Sequence, residues 1–346
     1  MLPNILNLTL KELNTILTQK GYNSFRSVQI FTAIHAQGIN NFQNISTIPL
    51  YLRENLANLY SISCLNIAQD LTSSDGTIKF NLETLDNHHI ESIFIPNSST
   101  NGRNTLCISS QIGCGMGCKF CATASLGLKR NLSTAEIISQ VYLIQSYLDK
   151  LAQPLNIHNL VYMGMGEPLH NYFNVLQSLK ILCCSYGKNI SGKRITVSTS
   201  GIVKNIARLG MESNVNIAIS LNAATDMIRS QIMPINNKWN LASLLEACKN
   251  FSQYSSRRVT FEYVLISNIN DSPKDAILLS HLLKNIRCKI NLIPFNPHSL
   301  SNFQRPFPNK IYNFQKSLLN KNLSVFIRNS RGSDIGAACG TLHLNP

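Results

Sequence analysis

Residues 105–124 read TLCISSQIGCGMGCKFCATA. The run opens as a strand, TLCISS, and passes directly into a loop holding Cys114, Cys118 and Cys121 among Gly113, Gly115 and Gly117. Downstream of this strand the chain alternates. Strand patterns recur at NLVYMGM, RITVSTS, VNIAISL, VTFEYVLI, KINLIPFN and SVFIR. Helical patterns fall between them at 134–151, 172–186, 202–212, 240–254, 272–286 and 308–321. Repeated βα units form a parallel sheet, open or closed into a barrel, so the fold class is α/β. Such arrays place their chemistry at the C-terminal ends of the strands. The polar and Gly-rich residues Gly166, Glu167, Ser198, Ser220 and Asn296 fall at those ends.

Upstream, residues 9–60 repeat apolar positions at helical spacing: TLKELNTILTQKGY from a Thr start, SFRSVQIFTAIHAQG up to Gly38, and PLYLRENLANLY. This small helical unit carries Lys11, Lys20, Arg26 and Arg53. Residues 77–96 change period around a DNHH turn and read as a β-hairpin. The expected division is a helical accessory domain over 1–75, a hairpin extension over 76–104 and a βα core over 105–346.

The chain has 346 residues, with 31 Lys and Arg against 17 Asp and Glu, a net charge of +14. That balance favours a polyanionic partner, nucleic acid first. No run of about 18 apolar residues is present, so no membrane span is expected. The N-terminal MLPNILNLTLKELN lacks a basic stretch followed by an apolar one, and a cytoplasmic location is expected. There the ten cysteines serve as metal ligands, catalytic thiols or core residues rather than structural disulfides.

A structural zinc takes four protein ligands, often as two C-x2-C pairs. Here Cys118 and Cys121 form the one such pair in the run, and Cys107, seven residues before Cys114, has poor spacing for a fourth ligand. An iron–sulfur cluster is held by thiolates. Three cysteines on a four-iron cluster leave one iron open for chemistry, and the interspersed glycines let a short loop wrap around it.

C-x3-C-x2-C after the first strand of a βα array resembles the radical S-adenosylmethionine (SAM) superfamily, which implies a partial (β/α) barrel. The resemblance extends along the chain. LCISSQIGCGMGCKFCATASLGLKRNL, VYMGMGEPLHN, RITVSTSGIV, IAISLNAATDMIRSQIMPIN, INLIPFNP and RGSDIGAACGTL occur in the order typical of the RlmN-type bacterial adenosine C2 methyltransferases, and the segment GYNSFRSVQIFTAIHAQG fits their helical accessory domain.

The resemblance implies roles for individual residues. Cys114, Cys118 and Cys121 bind a [4Fe–4S] cluster. Gly166 and Glu167 contact the amino group and methionine portion of SAM, Ser198 and Ser220, Leu221 and Asn222 line it, and Asn296 meets its adenine end. Cys339 becomes methylated, Cys107 is the second catalytic thiol, and Glu91 matches a proton acceptor. C2 of adenine is electrophilic in character, so ordinary methyl transfer from a sulfonium to it fails. The family solution methylates Cys339, generates a radical on that methyl group, adds it to C2 as a protein–RNA crosslink, and releases the product when Cys107 attacks Cys339 to form a disulfide. Glu91 and Cys107 both remain eligible as the base that removes the C2 proton. One departure stands out: SLNA replaces the family's usual SLHA, putting Asn222 where an imidazole is common.

The resemblance further implies 23S rRNA and tRNA as partners, a low-potential electron donor of the flavodoxin type, and a monomer. Lys129, Arg130, Arg328 and Arg331 are the expected RNA contacts near the site, with the helical unit gripping RNA backbone farther away. The alternatives are a C8-specific rRNA adenosine methyltransferase of the resistance type and a zinc-stabilised RNA-binding protein without catalysis. An activase for a glycyl radical enzyme fits poorly with the basic charge and the paired Cys107 and Cys339.

Overall fold

The computed structural model describes residues 2–97, 102–255 and 257–343. Its first unit holds three short helices, α1 (Leu10–Gln19), α2 (Phe25–His35) and α3 (Leu50–Leu59). Thr9 starts α1 through a capping box: its hydroxyl accepts from the Glu12 backbone N–H, and the Glu12 carboxylate accepts from that of Thr9. Leu13, Leu17, Ile30, Phe31, Leu52 and Leu56 turn inward and are buried.

This unit docks on α4 (Thr134–Leu148) and α5 (Tyr172–Leu182). The Asn7 side chain accepts from the Ala135 backbone N–H at 2.8 Å, and Gln177 donates to Glu12. His35, 2% exposed, places Nδ1 2.8 Å from the Tyr142 hydroxyl on α4. Burial pushes the His35 imidazole down to about 3. The folded state therefore refuses a proton that the unfolded chain takes up below pH ~6.5. The stability that neutral His35 contributes is fully present above that pH and is lost as pH falls toward 3. By pH 5 the loss is about 2 kcal/mol. Thermal unfolding at pH 7.5 and 5.0 should show this deficit in the native chain and a smaller one in His35→Gln.

Strands β1 (Leu65–Thr72), β2 (Ile78–Thr84) and β3 (His89–Ile95) form an antiparallel meander whose last strand pairs with β4 (Thr105–Cys107). A separate two-stranded ribbon, β5 (Gln111–Gly113) and β6 (Leu128–Asn131), brackets the cysteine loop. The main sheet continues in parallel from β4 through β7 (Asn159–Tyr162), β8 (Ile195–Thr199), β9 (Asn216–Ser220), β10 (Val259–Leu265), β11 (Cys288–Pro294) and β12 (Val325–Ile327). Together with α4 and α5, helices α6 (Val203–Glu212), α7 (Asp226–Ile232), α8 (Leu241–Tyr254), α9 (Pro273–Leu283) and α10 (Pro308–Leu319) connect these strands. Among the described residues β12 does not pair back to β1, so the ten-stranded sheet is a partial barrel, as expected.

Three details differ from the sequence reading. Residues 65–72, placed there with the helical unit, form β1. Its residues are mostly exposed and a bulge between Ile67 and Gln69 breaks the two-residue period that would have marked a strand. Strand β4 stops at Cys107 rather than Ser110, because the Ser109 backbone N–H turns to the Gln140 side chain instead of continuing the ladder. The short helix α7, capped by Thr225, was absent from the reading.

Side chains two residues apart share a sheet face. The pairings Ile93↔Cys107, Cys107↔Val161 and Val161↔Thr196 put Cys107 on the face that also carries Ser198, Ser220 and Glu262. Lys79 and Glu91 continue this face onto the antiparallel strands.

Candidate active site

One cavity opens at the C-terminal ends of the parallel strands. Cys114, Cys118, Cys121, Gly166, Glu167, Ser198, Ser220, Asn222, Asn296 and Cys339 all line it. Ten expected site residues from six separate segments thus meet in one place. Leu221 does not reach the cavity wall. It is fully buried, and its backbone N–H donates to the Glu262 carbonyl. Glu91 and Cys107 also stand outside the wall, both buried.

The cysteine loop is shaped by backbone contacts. The Cys114 N–H donates to the Gly127 carbonyl at 2.9 Å, and the Lys119 N–H to that of Ile232 at 3.0 Å. Gly113 has φ +71°, and a Cβ there would lie 1.8 Å from the Gly127 carbonyl oxygen. That oxygen is fixed backbone, so Gly113→Ala is expected to cost ~3 kcal/mol or more and to displace the loop. The check is a melting curve together with iron uptake after anaerobic loading. Burial pushes the Cys114 thiol up to about 12, and Cys118 and Cys121 rise for the same reason. Among the described residues no three His, Cys, Asp or Glu side chains converge closely enough to hold a single metal ion. Three soft thiol donors on one cavity wall fit a cluster in which each takes a different iron.

Glu167 is 3% exposed, and its carboxylate accepts from the backbone N–H groups of Leu169 and Ser200, at 2.9 and 2.6 Å. Gln111 fixes the Glu167 backbone from the other side. Burial outweighs these bonds and shifts the Glu167 carboxyl upward. Gly166 has φ +100° and lies so close to Gln111 that a Cβ would come within 2.5 Å of its side chain. Asn222 adopts a left-handed φ of 58°, which Asn tolerates better than most residues. Its Oδ1 accepts from the Val264 N–H at 2.8 Å, and its Nδ2 points to the Met233 sulfur. The departure from His thus gives a side chain that ties two strand ends together.

The C-terminal segment closes the cavity. The Gly340 carbonyl accepts from Ala122 N–H at 2.7 Å, the Leu342 carbonyl from the Thr123 hydroxyl at 2.6 Å, and the Cys339 carbonyl from Asn296 Nδ2 at 2.9 Å. Ser330 donates to the Asn296 Oδ1. At its other end the segment leans on the meander, where Asp75 accepts from the Gly332 N–H and Ser73 donates to Asp334. Cys339 as a residue keeps exposed surface at the opening, but its thiol is turned inward, where burial and then the Glu262 carboxylate push it up to about 11. Cys107, 8% exposed, lies within electrostatic reach of Cys339, and burial raises its thiol strongly. All ten cysteines are free thiols. Glu91 pairs with Lys79 at 3.2 Å, and its Oε2 is buried without a hydrogen-bond partner among the described residues. Burial shifts its carboxyl upward against the pull of Lys79.

Glu262 was missed by the sequence reading. It lines the cavity, accepts from Asn291 Nδ2 at 2.9 Å and acts electrostatically on Cys339. The signal was a lone carboxylate on the apolar strand VTFEYVLI. Arg130, expected to meet RNA, instead spends its guanidinium on two carboxylates, Asp86 at 2.6 and 2.8 Å and Glu136 at 2.8 and 3.0 Å. Arg328 donates to Asn291 inside the barrel, and Arg331 lies 3.9 Å from Asp75. Lys129 is exposed.

Comparison with known proteins places the chain in a family. Residues 108–279 match the Radical SAM superfamily and residues 3–62 match the ribosomal RNA large subunit methyltransferase N-terminal domain. A dual-specificity RNA methyltransferase RlmN from Geotalea uraniireducens is 45% identical over 98% of this chain and 96% of its own length. The RlmN 2 protein of Myxococcus xanthus is 43% identical over 99% and 90%. The crystal structure of a radical SAM methyltransferase from Sphaerobacter thermophilus superposes with a TM-score of 0.91 at 38% identity, covering 98% of both chains.

Proposed function

The chain belongs to the RlmN family of radical SAM RNA methyltransferases, and on that basis we propose that it methylates C2 of an adenosine in the peptidyl transferase centre of 23S rRNA and of the adenosine 3′ of the anticodon in tRNAs. The observation that carries this reading is the convergence of three cluster thiols and Cys339 on one cavity, with Cys107 buried beside it. A [4Fe–4S] cluster and SAM, the cofactors of the superfamily, would supply the methyl group and the radical chemistry that activates the Cys339-borne methyl carbon for addition to C2.

The protein's own residues do the rest. Cys114, Cys118 and Cys121 hold the cluster, and Gly166, Glu167, Ser198, Ser220, Asn222 and Asn296 shape the SAM site, with Leu221 supporting it from behind. Cys339 accepts a methyl group and presents it to the base at the open end of the cavity. Cys107 then attacks Cys339 and frees the methylated RNA, leaving a disulfide that a thiol must reduce before the next turnover. Glu91 has an unpaired carboxylate oxygen for the C2 proton, and Lys79 stabilises its charged form. The adenosine enters unstacked, because C2 lies on a base edge inside a helix or stack. The three-helix unit grips RNA backbone through exposed Lys11 and Lys20, while Arg26 and Arg53 mainly hold their own loops, bonding to the Thr47 carbonyl and to those of Gln43 and Ile48. The chain acts as a cytoplasmic monomer with a flavodoxin-type electron donor. Among the described residues no helix is long and apolar enough to cross a membrane.

The test is nucleoside mass spectrometry after reaction of the anaerobically loaded protein with SAM, reductant, and unmodified 23S rRNA or tRNA. 2-Methyladenosine in both RNAs is expected. Its presence in one alone narrows the substrate, and 8-methyladenosine would overturn the regiochemistry.

A further inference from the structure

Among the described residues Arg229 is the largest fully buried side chain, at 0% exposure. Nε donates to the Leu221 carbonyl at 3.0 Å and Nη1 to the Asn236 side-chain oxygen at 3.0 Å. Nη2 donates to the carbonyls of Ser200 at 2.7 Å and Ser220 at 3.1 Å. All four acceptors are neutral, and among the described residues Arg229 forms no ion pair with a carboxylate. Asp226, on the same helix, acts on Arg229 through space and through Asn236, but gives its Oδ1 to Asn236 Nδ2 and to the Leu241 N–H rather than to the guanidinium. A buried guanidinium without an anion is strongly unfavourable, because neutral hydrogen bonds do not replace the lost hydration of a charge. A single carboxylate acting only through space leaves the site suited to a further negative group.

The nearest candidate is the cysteine loop. Helix α7 supports that loop directly: the Ile232 carbonyl accepts from Lys119, and Pro234 packs 3.5 Å from where a Cβ on Gly117 would stand. The charge of Arg229 is felt at Cys118, and that of Cys118 at Arg229. We propose that Arg229 is the fixed counter-charge of the iron–sulfur cluster and, through the Ser200, Ser220 and Leu221 carbonyls, the positioning residue that sets the cofactor strands against it. This rests on the reading that the three cysteines hold a cluster. An oxidised four-iron cluster on three thiolates is a net anion, and one electron from an external low-potential donor adds a further negative charge. A cation held in a low-dielectric interior makes that addition less unfavourable and raises the reduction potential.

The test uses full-chain native protein, Arg229→Gln and Arg229→Lys, each loaded anaerobically and assayed for iron and sulfide. Reduction is then titrated spectroscopically without SAM, and SAM binding is measured separately. Arg229→Gln is expected to shift the potential to more negative values at unchanged iron content. Arg229→Lys, which keeps the charge and loses the fork, is expected to stay near the native potential while melting lower. If Arg229→Gln does not fold, the Lys variant decides: a native-like potential supports the inference, and a clear drop overturns it. An unchanged SAM-free potential in Arg229→Gln with weakened SAM binding also overturns it, assigning the charge to the cofactor's carboxylate instead. Native protein that takes up no four-iron cluster would sink the cluster reading and this inference together.

Discussion

A Cys107→Ala protein is expected to stop with RNA covalently attached to it. Cys107 is buried within electrostatic reach of Cys339, and Cys339 belongs to the segment held at the cavity mouth by Ala122, Thr123 and Asn296. No other thiol shares that position: the remaining cysteines on the cavity wall are the three cluster candidates. Once Cys339 is joined to the base, release requires a sulfur able to attack it, and alanine offers none. Turnover should fall by at least about 10³-fold, the scale expected when a nucleophile that acts in a covalent step is removed. The change deletes one buried sulfur, so the folding cost should be ~1 kcal/mol and the chain should still fold. A denaturing gel would show an RNA-linked band that survives heat and disappears with nuclease. Normal release of methylated RNA would remove Cys107 from the resolving role.

Cys339→Ala should abolish both methylation and the adduct, again by about 10³-fold or more. Cys339 lies at the cavity mouth outside the hydrophobic core, and its backbone carbonyl, which holds Asn296, is retained in the variant. Intact-mass analysis separates this from a folding defect. Native protein incubated with SAM should gain one methyl group on the peptide containing Cys339, and the variant should gain none. Combining the two substitutions should reproduce the Cys339→Ala result, because the adduct that Cys107 resolves never forms.

The chemistry of this protein was legible in the sequence because it is encoded locally. The three thiols and their glycines occupy residues 113–121, and their placement after a strand is a short-range pattern. The βα alternation was legible because strand and helix periods differ, and the strands of the core matched their expected positions to within a few residues. β1 was not legible, since a bulged and exposed strand carries no clean period. Arg130 shows a second limit. Its partners Asp86 and Glu136 lie on a hairpin turn and a helix start, 44 and 6 residues away, and a charge count cannot tell a saturated guanidinium from an available one.

The sequence by itself therefore determined the fold class, the family and the three clustered thiols proposed to hold the cluster, since each depends on residue types at fixed spacing along the chain. Only the tertiary structure decided which long-range partners those residues meet. It brought Cys107 within electrostatic reach of Cys339 across more than two hundred residues, placed Glu262 on the cavity wall, and buried Arg229 under the carbonyls of Ser200, Ser220 and Leu221. Burial and charge pairing are properties of the packed interior, where distance and low dielectric set the energies, and no local pattern records them.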